Sequence, residues 1–232
     1  MLSAELWEII GLSLKVSLMA VAVSLPFAFA LAWLLARGRF PGKILLDGLV
    51  HLPLVLPPVV TGWLLLIAFG TNGPAGKFFA SWFGLVFMFR WTGAALAAAI
   101  MALPLMVRAM RLSIESVDRR LEGAARTLGA SPWRAFRSVT LPLSLPGIVA
   151  GAVLGFARSI GEFGATITFV SNIPGETRTL PIAIYSALQI PGREAEVTRL
   201  AIVSVLLSLG ALVLSEWLAR RTAAGKGAGH VL

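Results

Sequence analysis

The sequence predicts an all-α polytopic membrane protein with about five transmembrane helices, a cytoplasmic helix-turn-helix and a periplasmic re-entrant or interfacial segment. Three observations carry that expectation. The 232 residues are 57% hydrophobic and only 13% charged, outside the range of soluble domains. Charge-free runs long enough to cross a bilayer alternate with short charged loops. The net charge of +9 is also unevenly placed: with five spans, one side holds thirteen basic and five acidic residues and the other seven and six. Basic loops stay in the cytoplasm, so the C-terminus is expected inside and the N-terminus outside.

Taken in order, residues 16–36 make the first run, closed by Arg37, Arg39 and Lys43, with Pro26 as an expected kink. Glu5 and Glu8 stand where a cleavable signal peptide would be positive, so none is expected. The second run, 48–72, contains H-L-P-L-V-L-P-P-V-V-T-G-W. Pro53, Pro57 and Pro58 remove backbone donors and break the helix. Lipid cannot satisfy the freed carbonyls, so the break must face protein or a wet cavity. An aromatic stretch, 78–89, suits the membrane interface.

The third run, 91–110, is rich in alanine and interrupted by Pro104. The fourth, 143–165, repeats Gly147, Gly151 and Gly155 every four residues, a spacing that lets another helix approach closely, within one subunit or between two. Residues 163–199 hold a turn at 172–175 and an apolar run, 180–190, too short to cross. The last run, 197–218, precedes Arg220 and Arg221. One membrane domain over 1–220 and a disordered cytoplasmic tail over 221–232 are expected.

Between the third and fourth runs, within a loop spanning about 115–140, lies the longest well-charged stretch, V-D-R-R-L-E-G-A-A-R-T-L-G-A-S-P-W-R-A-F-R-S-V-T-L-P. Val117, Leu121, Ala124, Ala125 and Leu128 fall at helical spacing, with Asp118, Arg119, Glu122 and Arg126 on the other side. Glu122 stands four residues before Arg126, the favourable order for a helical pair. Gly129 sits where a helix ends in a left-handed residue. Ser131 and Pro132 then open a second helix as cap and first position, with Trp133 and Phe136 on one stripe. Leu141-Pro142 is expected to end it. A charged bend of this kind serves either as a docking surface or as amphipathic helices lying on anionic lipid.

Catalytic chemistry is missing from the pattern. No phosphate-binding loop follows Gly42-Lys43, Gly76-Lys77 or Gly225-Lys226, and there is no cysteine. His51 and His230 make no metal-binding pattern with nearby carboxylates. The chain is therefore expected to be neither an enzyme nor a cofactor protein, and any nucleotide belongs to another chain. Arg158 and Glu162, four residues apart in the fourth run, either line the path of a charged solute or neutralise one another as a brace.

The run E-G-A-A-R-T-L-G-A-S-P-W-R-A-F-R-S-V-T-L-P resembles the cytoplasmic signature of membrane subunits in binding-protein-dependent ABC importers of the type I class. Ala124, Ala125, Gly129, Leu141 and Pro142 match it; Gly123 stands where the signature has an acidic residue, with Glu122 just before. The runs 51–62 and 156–185 look like the molybdate branch of that family. Within them G-E-F-G, at 161–164, is shared with sulfate permeases, and N-I-P-G-x-T-x-T-L-P, at 172–181, is closer to molybdate.

The resemblance implies a homodimer in the bacterial inner membrane, two copies of an ABC ATPase and a periplasmic oxyanion-binding protein. Coupling to the ATPase would fall to Leu121, Glu122, Gly123, Ala124, Ala125, Leu128, Gly129, Ser131, Pro132, Trp133 and Phe136. Pathway or gate positions would be Pro57, Pro58, Thr61, Arg158, Glu162 and Thr166. The implied activity is alternating-access import of molybdate. Tungstate or sulfate import, or a stand-alone anion channel or carrier, are the alternatives.

Overall fold

The computed structural model describes residues 4–227, all of them in helices and the loops between. Among the described residues eleven α-helices follow one another: α1 Ala4–Arg37, α2 Lys43–Val55, α3 Pro58–Phe69, α4 Pro74–Phe83, α5 Trp91–Glu115, α6 Arg119–Thr127, α7 Pro132–Ala135, α8 Leu141–Ile160, α9 Gly164–Val170, α10 Leu180–Leu188 and α11 Glu194–Gly227. A π-turn, Phe136–Thr140, joins α7 to α8. Among the described residues three helical stretches are long and apolar enough to cross a membrane, Ala4–Arg37, Trp91–Glu115 and Pro132–Ile160. A fourth candidate is the α2–α3 pair, bent by 114°.

The break between α2 and α3 follows from its two consecutive prolines. A residue before proline is driven out of the helical region. Leu56 precedes Pro57, and Pro57 precedes Pro58; both are extended, at φ −69°, ψ 142° and φ −54°, ψ 133°. The chain resumes at once as a helix with Pro58 at its first position, where the missing N–H is no loss. Pro53 sits inside α2, in its closing turn.

The centre of the molecule is α5 packed between α1 and α8. Its alanines, Ala94, Ala95, Ala97, Ala98, Ala99 and Ala102, are buried and leave room for neighbouring backbones. The glycine repeat of α8 faces α5 within the same chain. A Cβ on Gly147 would lie 2.1 Å from Ser113 Cβ, one on Gly151 3.0 Å from Met110, and one on Gly155 2.6 Å from the Met106 sulfur. Of the two readings of that repeat, packing inside one subunit is what the fold uses.

Several boundaries differ from expectation. The first helix begins at Ala4 rather than near residue 16, because Leu6, Ile9 and Ile10 are buried against α10 and α11. The fourth helix ends at Ile160 rather than at residue 165, and α9 starts as a separate element. The most consequential correction concerns Leu141-Pro142, which does not end the second helix of the bend. The helix runs on from Pro132 to Ile160. Pro142 falls at the start of α8, and the π-turn before it closes with Leu141 N–H donating to the Phe136 carbonyl, a wider ring that accommodates the proline without a stop.

The nine-residue α10 is about 13 Å long, too short to cross the apolar core of about 30 Å. It is buried instead, through Leu180, Ile182, Ala183 and Ala187. The last helix covers the range expected for the final span and continues through Gly227, into the stretch expected as a tail; residues 228–232, His230 among them, lie outside the described residues.

The glycine contacts give a paired prediction. Gly147→Ala should lower the thermal stability of the purified subunit in detergent by about 1–3 kcal/mol through overpacking. Gly11→Ala, where a Cβ meets nothing within 4 Å in α1, should raise it by about 0.5–1 kcal/mol. Equal effects from the two would count against the α5–α8 contact.

Candidate functional site

The bend between α5 and α8 has the capping chemistry expected of it. Asp118 caps α6, its carboxylate accepting from Arg120 N–H at 2.9 Å, so it belongs to the helix start and not to the polar face. The helix ends with Ala130 N–H donating to the Ala125 carbonyl and Gly129 N–H to the Arg126 carbonyl, both at 3.0 Å. That is the paired closure of a Schellman motif, and it places Gly129 at φ 89°, where a side chain would be strained. Ser131 Oγ accepts from Arg134 N–H at 3.3 Å, with Pro132 at the first position of α7.

The apolar stripe of α6 is not covered by its own chain. Leu128 is 89% exposed, Leu121 half exposed, and Trp133 on α7 is 68% exposed. Ala124, Gly123, Ser131 and Pro132 are exposed too, and Ala125 is partly buried. Val117, read as the first residue of the stripe, is instead buried before the helix begins.

The bend is pinned from behind. Glu122 does not pair with Arg126. Its Oε1 meets Arg37 Nη2, at the end of α1, at 3.1 Å, and accepts a short hydrogen bond from Thr140 Oγ1 in the π-turn. Arg37 Nη2 also donates to the Val117 carbonyl at 3.3 Å. One carboxylate oxygen thus ties together α1, α6 and the start of α8. Beside it Phe136 is held edge-on by Trp33, 4.7 Å between ring centres, and stacks on Trp133 at 5.3 Å; Phe29 lies at 6.2 Å. An ion pair with a partner in another element outweighs a solvated pair within one turn, since the partly buried geometry is less screened. In the sequence Arg37 is notable only as the basic closure of the first run, and Thr140, Trp33 and Phe29 carry no site pattern. The aromatic pair near the basic closure of the first run is the one local signal for them.

At the opposite end of α8 the pathway candidates separate into two groups. Pro57 and Pro58 are exposed at the break, while Thr61 and Thr166 are buried, and the Thr61 hydroxyl finds no partner in the chain. Arg158 lies in the last turn of α8, and Glu162 lies beyond the helix end. They still meet, Arg158 Nη1 to Glu162 Oε2 at 2.6 Å, with the Glu162 side chain almost wholly buried.

Every polar side chain of Asn172, Thr177 and Arg178 in the N-I-P-G-x-T-x-T-L-P run is engaged within the fold. Asn172 donates to Ser186 Oγ at 2.7 Å and accepts from Arg178 Nε at 3.0 Å, Thr177 Oγ1 bridges Ser171 O and Ile173 N–H, and Arg178 reaches Glu5 of α1 at 3.3 Å. Leu180 N–H donates to Ser13 Oγ at 2.8 Å, clasping the loop to α1. A second charged network joins α2 to α5: Arg111 holds Asp47 at 2.9 Å and Glu115 at 2.8 Å, and His51 Nδ1 lies 3.1 Å from Asp47. Among the described residues no group of three or more His, Cys, Asp or Glu side chains forms a metal-binding cluster.

Comparisons with known proteins agree on one family. Residues 18–224 match the family described as binding-protein-dependent transport system inner membrane component. The chain is 61% identical to the molybdenum transport system permease protein ModB of Escherichia coli strain K12, over 92% of this chain and 93% of that one. It is 59% identical to the ModB of Haemophilus influenzae, over 96% and 97%. Identity falls to 38% with the sulfate transport system permease protein CysT of Escherichia coli strain K12, over 91% and 78%. Among solved structures, a bacterial alginate ABC transporter in complex with an alginate pentasaccharide-bound periplasmic protein has a chain of like fold, TM-score 0.73 at 19% identity, covering 94% of this chain and 80% of that one.

The Glu122 tie yields a test independent of transport. Arg37→Ala should release α6, speeding amide exchange over residues 119–127 by the equivalent of about 1–3 kcal/mol while leaving α5 protected. Arg126→Ala should change it by less than about 0.5 kcal/mol. The reverse ranking would restore the pairing within α6.

Proposed function

Because the chain belongs to the binding-protein-dependent transport system inner membrane components, we propose that it is the permease subunit of an ATP-driven oxyanion importer whose cargo is molybdate. The single observation carrying the cargo is the 61% identity to a molybdenum permease over nearly the whole of both chains, against 38% for a sulfate permease. Tungstate presents nearly the same tetrahedral dianion and is the natural second cargo. Sulfate is the weaker reading.

Two copies of this chain form the pathway in the inner membrane, each contributing five spans: α1, the bent α2–α3 pair, α5, α8 and α11. The excess of basic residues around the bend and the C-terminal end supports a topology with both in the cytoplasm and the N-terminus in the periplasm. There α6 and α7 dock into a groove on a separate ATPase subunit, covering Leu121, Leu128 and Trp133, which this chain leaves bare. A membrane surface would serve these side chains equally well as apolar contact. It would not require that they stand on a bend tied by Glu122 and Phe136 to two spanning helices.

Alternating access follows mechanically. Closure of the ATPase pair displaces the bend, α8 moves with it as one helix, and the α2–α3 break opens or closes the path. Pro57, Pro58, Thr61 and Thr166 stand at or near that break, and the partnerless Thr61 hydroxyl supports a wet lining there. A periplasmic oxyanion-binding protein delivers the cargo and supplies most of the selectivity, because a pathway that held a dianion tightly would release it slowly.

Leu128→Asp puts a charge into the docking contact while leaving the fold alone, since the residue is exposed. The ATPase should bind this variant about thirtyfold more weakly, the effect of losing about 2 kcal/mol at an interface hot spot. The thermal stability of the isolated subunit should not change. Co-purification of the ATPase at wild-type yield would overturn the docking surface, and oxyanion transport by this chain alone, without ATP, would overturn the importer.

A further inference from the structure

Glu162 is a carboxylate with both oxygens assigned inside the protein. It is 3% exposed. Oε2 meets Arg158 Nη1 in the last turn of α8 at 2.6 Å, and Oε1 accepts from Ala165 N–H, in the first turn of α9, at 2.9 Å. The residue itself lies in neither helix, but in the three-residue link between Ile160 and Gly164. A charged side chain so placed holds the end of one helix against the start of the next, and burial leaves it no alternative partner in water.

What α9 touches gives this link a direction. The first residue of α9, Gly164, lies so close to Pro58 that an added Cβ would come within 2.7 Å of the proline Cβ. One helical turn on, a Cβ on Gly62 would lie 2.6 Å from the Ala165 carbonyl. Between α9 and α3 the contacts are thus a backbone carbonyl, the Thr168 Cβ and the rigid Pro58 ring, with no flexible side-chain end between them to absorb a shift. Pro58 is also the residue at which α3 begins after the break. A continuous path runs from the bend through one helix, Pro132–Ile160, across the Glu162 carboxylate to α9 and onto the broken span.

We propose that Glu162 is a positioning residue for transport: the hook through which movement of α8 is delivered to the α2–α3 break, with Arg158 as its anchor rather than a ligand of the transported anion. This rests on the importer reading above and adds to it which residue joins the driven helix to the gate.

The test uses the complete importer, permease with its ATPase and binding protein, in proteoliposomes, reading molybdate moved per ATP hydrolysed and the KM for molybdate. Glu162→Ala should lower transport per ATP about tenfold, with hydrolysis and KM within about twofold of wild type, the size expected for losing a charge-assisted hydrogen bond. Glu162→Gln keeps an oxygen acceptor for Ala165 N–H but turns its NH2 donor toward Arg158, and should fall about threefold, between wild type and Glu162→Ala. The swap Arg158→Glu with Glu162→Arg restores opposite charges but offers Ala165 N–H no acceptor, and should be as poor as Glu162→Ala. Should Glu162→Ala fail to assemble, Gly164→Ala presses on Pro58 with the ion pair intact and should uncouple in the same way.

Rescue by the swap would reduce the pair to charge neutrality and overturn the hook. So would a KM raised in step with the loss of transport, which would make the pair a ligand for the anion, or a Gln variant equal to wild type, which would leave the Arg158 anchor idle. A wild-type complex that moves no oxyanion with ATP would instead overturn the importer reading itself.

Discussion

An α-helix keeps its length because each turn is closed by its own hydrogen bonds, and a segment that must carry a displacement across a membrane needs that closure to be continuous. Pro132–Ile160 runs as one helical stretch over 29 residues, about 43 Å, although Pro146 inside α8 leaves one turn without its N–H. The threat to the joint between bend and span is Pro142, whose ring and missing N–H would ordinarily end a helix. The π-turn just before the proline absorbs the misfit, so the bend and the span are one body and not two bodies joined by a hinge. Every other feature of the proposed mechanism depends on this continuity. A flexible joint at Leu141 would let the bend move while the span stayed still.

The two ends of the rod are fastened by the same chemistry. At one end Glu122 gathers Arg37 and Thr140, and at the other Glu162 gathers Arg158 and the Ala165 amide. In both cases a single carboxylate serves more than one element, so the partners cannot separate without leaving a charge poorly solvated. Between these ends the glycines of α8 lie against Ser113, Met110 and Met106 of α5. With no Cβ on the α8 side, these side chains and the carbonyls of Ala109 and Met106 reach the α8 backbone itself, a closer approach than a leucine seam allows. Rigidity along the rod and tight contact at its middle together favour rocking of α5 and α8 as a pair.

What could be read from the sequence was chiefly what is local. The Schellman closure at Gly129, the Ser131-Pro132 start and the break at Pro57-Pro58 each follow from dihedral restrictions within a few residues, and all three stand as expected. The partner of Glu122 could not be read in this way, because Arg37 lies 85 residues away and Arg126 offered a sound local alternative. Pro142 misled for a related reason: proline ends most helices, and nothing nearby signals that a π-turn will make room for it. Arg158 and Glu162 were paired for the wrong reason. Helical spacing suggested the contact, but the second residue reaches it from a link beyond the helix end.

The loop after α9 carries the run that resembles molybdate permeases, and several of its polar side chains are engaged inside the fold. In N-I-P-G-x-T-x-T-L-P, Asn172, Thr177 and Arg178 hold the loop's own turns and its neighbours on α1 and α10, which leaves those side chains few free hydrogen-bonding positions for an anion. Ser171, just ahead of them, sits at φ 62°, ψ −165°, a conformation costly for a residue with a side chain and held here by the Thr177 hydroxyl on its carbonyl. These residues therefore shape a surface at the end of the membrane domain that, in the proposed topology, faces the delivering protein. Selectivity can then enter through the fit of that surface to one kind of binding protein, with Asn172, Thr177 and Arg178 committed to folding while Glu176 Oε2 and Thr179 Oγ1 find no partner in the chain.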